Sequence, residues 1–193
     1  KEVTIMIWVR TSNTDNWYLP ILTKGEDSSY DMELVFGMIQ VRVGGVGETL
    51  YGATPDIRNG VWHHLCTIIG NPTNKTYVDG VLYDIGSHND SNLGLNNSPI
   101  GLGWIDGMLR SVEGMQSSLT GDMDDAAIFN RSFTQAEIQS VIINGVPTST
   151  TTTTSSTTTT SSSTSTTTSS STTTLALTNL IAHWRFDEYL GTN

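Results

Sequence analysis

The stretch VWHHLCTII, residues 61–69, followed closely by KTYVDGVLYD, residues 75–84, decides how this chain is read. Successive side chains of a strand point to opposite faces, so Trp62, His64, Cys66 and Ile68 share one face of the first segment. The second segment divides at Asp79-Gly80, a dipeptide that supplies the positive φ of a tight hairpin turn. The segments therefore read as short strands. His63 and His64, on opposite faces of theirs, cannot hold one metal ion and read as structural.

The pattern extends outward from there. In VTIMIWVR, residues 3–10, Val3, Ile5, Ile7 and Val9 alternate with Thr4, Met6, Trp8 and Arg10. Both faces are partly apolar, as an inner strand of a two-sheet sandwich requires. YDMELVFGMIQVRVGG, residues 30–45, places Met32, Leu34 and Phe36 on one face and Asp31 and Glu33 on the other, which predicts a hairpin with a wet outer face. Gly, Asn, Asp and Pro recur between such runs, the mark of an all-β sandwich or jelly roll. One helix interrupts: Thr134 and Glu137 form a capping box, Ile138, Val141 and Ile142 an apolar stripe, and Gly145 then Pro147 end it.

Composition divides the chain. Residues 1–147 form one globular domain, residues 148–174 are an unbroken run of serine and threonine, and residues 175–193 are a short C-terminal segment. No residue of the run can enter a core. Such tracts resemble the O-glycosylated stalks of extracellular proteins, with Thr150, Thr160 and Thr168 among the expected attachment points. Asn74, Asn89, Asn96 and Asn130 each begin an N-glycosylation sequon, and the whole points to an extracellular or cell-surface location with covalent glycans. The net charge of -10 repels nucleic acid and anionic lipid. No apolar run reaches the ~18 residues that span a bilayer. Cys66 is the sole cysteine, which excludes an intramolecular disulfide and a Cys-based zinc site, and it reads as a small buried hydrophobe.

In this order, VTIMIWVR, ILTKG, NGVWHHLCTIIG, KTYVDGVLYD, SPIGLG and LTGDMDDAAIFNRSFTQAEIQSVI resemble the LamG-like jelly roll of the concanavalin A-like lectin/glucanase superfamily. The resemblance implies an all-β fold: a two-sheet antiparallel jelly-roll sandwich with one short C-terminal helix, followed here by an extended Ser/Thr spacer and a lone strand. Domains of that family open with a strand of the type LIAHWRFDE. In this chain that strand stands after the spacer, at residues 180–188, with Leu180, Ala182, Trp184 and Phe186 alternating with Ile181, His183, Arg185 and Asp187.

Three destinations for this strand are open: its own domain, the next subunit, or the start of a further domain. An extended tract of that length reaches ~85 to 95 Å, whereas a 150-residue domain is roughly 40 Å across, so the spacer suits reaching another molecule. Head-to-tail strand donation propagates into filaments, with Trp184 and Phe186 as anchors in pockets. The partner is then a copy of the same chain.

The family includes glucanases, and retaining hydrolysis needs two carboxyl groups about 5 to 5.5 Å apart. Asp31 and Glu33 are the nearest match, but D-x-E is not the E-x-D-x-E of those enzymes, and carboxylates on a solvated face are the simpler reading. No catalytic residue is therefore assigned. Related domains often bind Ca²⁺ near the equivalent of Asp124. Asp122, Asp124 and Asp125 are the densest acidic cluster, and an outward-facing acidic turn explains them equally. Trp17, Tyr18, Tyr51 and Trp104 lie in loop-like stretches, open either to stacking on sugar rings or to core packing. The expected function is an extracellular, non-enzymatic fibril subunit; the alternative is a carbohydrate-binding or adhesion module of a multidomain secreted protein, with an extracellular polysaccharide as partner.

Overall fold

The computed structural model describes residues 2–15, 18–24, 30–43, 48–51, 54–70, 73–87, 97, 99–104, 118–146 and 179–186. Two antiparallel sheets stack face to face. One has six strands, in the order β11 (Leu180–Trp184), β10 (Asp122–Phe129), β1 (Glu2–Arg10), β6 (His63–Gly70), β7 (Thr73–Val78) and β8 (Val81–Ser87). The other has five, in the order β5 (Glu48–Tyr51), β4 (Met38–Val43), β3 (Tyr30–Val35), β2 (Tyr18–Lys24) and β9 (Ile100–Leu102). This is the jelly-roll sandwich that the resemblance implies.

The alternation within each strand decides which residues meet. Ile5, Ile7, Leu65 and Ile128 from the six-stranded sheet interdigitate with Leu19, Ile21, Met32, Leu34 and Val41 from the five-stranded one, all nearly inaccessible to water. The opposite face of the six-stranded sheet is apolar too, because α1 (Gln135–Asn144) packs on it: Ile138 and Val141 join Met6, Cys66, Ile68, Tyr77 and Phe129 in a second cluster. That explains why β1 and β6 are apolar on both faces. Thr134 and Glu137 form the expected capping box, and Gly145 closes the helix at φ 78°.

Turn chemistry follows the sequence. Asp79 and Gly80 take φ of 51° and 75°, and the Asp79 carboxylate accepts from the His64 amide (2.8 Å) while its other oxygen lies 2.8 Å from His63 Nδ1. His63 thus braces the hairpin. Phe36 does not follow Met32 and Leu34 into the core: it forms the β3–β4 turn with Gly37 at φ 53° and 83°, and its ring is exposed. Pro20 sits in β2 where β9 does not reach, since β9 pairs only with Leu22 to Lys24.

The outer face of β3 is not wet. Glu33 is 0% exposed and Asp31 is also buried; Arg42 on β4 donates to Glu33 Oε1 at 2.6 Å and lies directly opposite Asp31 across the ladder. Burial alone pulls the Arg42 guanidinium down, yet the attraction of Glu33 holds it above its ordinary value.

His64 is buried against the edge of Trp8, ring centroids 5.2 Å apart, and its Nδ1 has no partner. Burial pushes its pKa down to about 4, against ~6.5 in an unfolded chain, so the unfolded state takes up the proton first. The neutral ring withdraws nothing from stability above pH 7. As pH falls from ~6.5 toward 4, stability drops by about 3 kcal/mol from this group. Urea denaturation across that range should show the loss, and His64→Leu should flatten it; an unchanged slope would remove His64 from the acid response.

Candidate functional site

The edge of the six-stranded sheet at β10 is where the sequence after the Ser/Thr tract docks. Of the three destinations, the structure of the single chain has the first: β11 runs antiparallel to β10 of the same chain, with Trp184 opposite Ala126, His183 opposite Ala127, Ala182 opposite Ile128 and Leu180 opposite Phe129. The ladder slips by one residue between Ile128 and Phe129, which leaves Ile181 exposed. A one-residue slip moves a side chain to the other face. Trp184 therefore packs into the core between the sheets, whereas Leu180 packs on the helix side. The strict alternation expected of Leu180, Ala182, Trp184 and Phe186 is broken at that point.

Phe186 is not an anchor. It lies beyond the strand and is 49% exposed; only its backbone N–H is engaged, donating to Asp124 Oδ1 at 3.1 Å. The same oxygen accepts from the Asp125 amide at 2.7 Å. Asp125 sits at a bulge where β10 loses register with β1, with φ 45°. Its carboxylate meets the docked segment: Oδ1 is 3.1 Å from His183 Nε2 and 3.6 Å from Arg185 Nε. The acidic turn is thus a latch for a strand that carries its own bases.

These contacts engage the carboxylates that the sequence offered to Ca²⁺ with partners in the protein. Asp122 is bound by Arg10 (2.8 Å), Asp124 by two backbone amides, and Asp125 by β11. Among the described residues, no three His, Cys, Asp or Glu side chains converge on one point. The cluster does not fit an ion that needs several converging oxygens.

The remaining candidates separate. Tyr18 is not in a loop: it lies in β2, buried, with Arg42 Nη2 3.4 Å from its hydroxyl, so it offers no stacking face. Trp104 is 44% exposed beside Thr23, whose hydroxyl donates to its carbonyl. Trp17 and the side chain of Tyr51 lie outside the described residues, as do Asn89, Asn96, Thr150, Thr160 and Thr168. Asn74 is 1% exposed and its Oδ1 accepts from the Gly70 amide, which leaves no room for a glycan at Nδ2 in the folded domain. Asn130 is exposed, and its amide donates to the Asn179 carbonyl at the start of β11. The sequence placed Trp62 on a strand face with His64 and Cys66 and gave it no site role; it lies just before β6, exposed beside Arg10 with the guanidinium 5.0 Å from its ring centroid. Its signal was a tryptophan just outside a strand.

Solved structures of several other proteins share this two-sheet sandwich. A putative carbohydrate binding protein from Bacteroides ovatus ATCC 8483 superposes with a TM-score of 0.57 at 14% identity, over 72% of this chain and 40% of that one. A structure of botulinum neurotoxin type C, whose cell entry is described as dependent upon interaction with two ganglioside molecules, gives 0.56 at 14%, over 77% and 37%. The heptameric SAP-like pentraxin of Limulus polyphemus gives 0.58 at 14%, over 75% and 71%. The chain thus spans well under half the length of the first two, and identities this low speak for the fold alone. No curated protein matches by sequence. A family model does match, over residues 1–139, and those residues include every described strand except β11. With that match and the two-sheet architecture together, the chain belongs to the concanavalin A-like lectin/glucanases superfamily.

Proposed function

We propose that this chain is an extracellular, non-enzymatic structural subunit that donates β11 to the β10 edge of another copy, joining molecules head to tail into a glycosylated fibril. One observation carries the reading. Val146, at the end of the helix, and Leu180, at the start of β11, pack in the same apolar cluster, yet residues 147–179 separate them in sequence. A chain returning to its own sheet needs only a few residues to close that gap. Thirty-three residues extended reach ~100 Å. Within the chain the β10 edge gives β11 main-chain pairing, a core contact for Trp184 and the Asp125 carboxylate for His183 and Arg185, and the same edge on another copy would receive the strand with the same contacts. A heterologous contact of this kind propagates.

The test places one cysteine on each side of the ladder in a single chain, Ala127→Cys with His183→Cys, at positions that face each other. Under mild oxidation, donation between molecules gives a ladder of covalent oligomers on a denaturing gel. A covalent ring within each monomer, with no ladder, would return the strand to its own domain.

The second reading is a carbohydrate-binding module, favoured by the lectin-like fold and by what the Bacteroides and neurotoxin relatives are described as binding. The two readings use different surfaces and are compatible in one molecule. Against catalysis stands the state of the nearest carboxylate pair, since Glu33 is buried and held by Arg42.

A further inference from the structure

At the end of β1, beside the part of β10 that does not pair with β11, a groove of about 490 Å³ opens between two loops. One wall is the chain after β1, with Arg10, Ser12, Asn13 and Asp15; the other is Gly60 and the approach to β10 ending at Asp122. Every described residue lining it is polar or glycine. Its volume falls in the range of small-ligand sites, and nothing in the strand-docking geometry uses it.

The groove is built, not a casual dent. Thr11 Oγ1 donates to the Thr120 carbonyl (2.7 Å), the Gly60 amide donates to the Thr11 carbonyl (3.0 Å), and the Asn13 and Asp15 amides are each capped by a side chain two residues earlier. A Cβ at Gly121 would strike the Arg10 carbonyl, so only glycine lets the walls approach this closely. Arg10 bridges them: Nε and Nη2 hold Asp122 Oδ2 at 2.9 and 2.8 Å while the guanidinium lies over Trp62. One face of that ring is occupied by the guanidinium, and the side chain is still 38% exposed.

We propose that this groove binds a neutral saccharide, its hydroxyls held by Ser12, Asn13, Asp15 and the Arg10–Asp122 pair, with Trp62 as the apolar platform at the rim. The proposal rests on the carbohydrate-binding reading and adds where it binds and which class of sugar. Hydroxyl-rich ligands match a lining of hydroxyls, amides and a fork of donors beside acceptors, and an aromatic face covers the C–H side of a hexose. Charge selects the class. Arg10 is already neutralised by Asp122, Asp15 adds a negative charge, and the chain as a whole carries -10, so an anionic saccharide is repelled. Because the loops are tied before a ligand arrives, little ordering opposes binding.

The experiment is calorimetric titration of the full chain with cellohexaose, laminarihexaose, mannohexaose and maltohexaose, with a heparin hexasaccharide as acidic control. The expected result is binding of at least one neutral sugar and none of heparin. Trp62→Ala and Ser12→Trp, the second filling the groove, should each weaken it at least about ten-fold while the unfolding midpoint is kept. If both folded variants bind the neutral sugar as the parent does, the groove is the wrong place and the carbohydrate reading survives. Binding of heparin alone would overturn the selectivity, and binding of no hexasaccharide would overturn the reading with it.

Discussion

Deleting residues 175–193 should abolish the assembly proposed for this chain: on that reading, sedimentation and negative-stain images show strings for the full chain and single particles for the truncated one. The deletion removes the whole β11 ladder, the Trp184 contact with the inter-sheet core, and both bases that meet Asp125. It bares the backbone of Ala126 to Phe129 as an unpaired edge. Losing a packed tryptophan together with a strand's hydrogen bonds costs about 3–5 kcal/mol, so the truncated domain should also unfold at a lower urea concentration. A synthetic peptide of residues 178–190 supplied in excess should bind the truncated chain and restore that stability, because binding to the native state alone stabilises it. Continued polymerisation of the truncated chain would dissociate assembly from this strand.

The second large effect is Arg42→Ala. It leaves the wholly buried Glu33 carboxylate without the guanidinium that lies 2.6 Å away. An uncompensated buried charge costs about 3–5 kcal/mol, and for a chain of this size the melting midpoint falls by on the order of 10 °C. Glu33→Gln with Arg42→Met removes both charges and should recover most of the loss. Thermal unfolding followed by circular dichroism decides it. A drop of under ~1 kcal/mol in the single variant would mean that the pair behaves like an exposed surface ion pair.

These two sites differ in how far the sequence revealed them. β1, β6, the β7–β8 hairpin and the helix cap depend on neighbours a few residues apart, and alternation or capping chemistry shows them directly. The burial of Asp31 and Glu33 does not, since alternating acids beside Met32 and Leu34 look the same whether they face water or an arginine. A clue was present in QVRV, residues 40–43, which sets Gln40 and Arg42 opposite Glu33 and Asp31 once β3 and β4 are paired. Pairing register is a property of two strands and neither one carries it alone. The lone strand was legible as a strand, and its need for a sheet was evident. The slip at Ile181 was not, because it answers to the shape of β10 at Phe129 and to the helix-side cluster that receives Leu180. That Asp124 and Asp125 meet the docked strand was not legible for the same reason: their partners lie some 60 residues away in sequence.

If copies of the chain are joined by the strand exchange proposed above, the closeness of Val146 and Leu180 has a mechanical consequence for the string. Tension arriving along one Ser/Thr tract is delivered at the Leu180 end of the docked strand and leaves the same domain at Val146, through a single apolar cluster. The pull is thus carried by a small corner of the domain, while the greater part of the sandwich hangs beside the line of force. Loading one end of an antiparallel strand opens its hydrogen bonds one after another, beginning at Leu180 and Phe129, where shear along the strand would strain them all together. Such a thread yields at its joints at modest force with its beads intact, and a joint that has opened can close again.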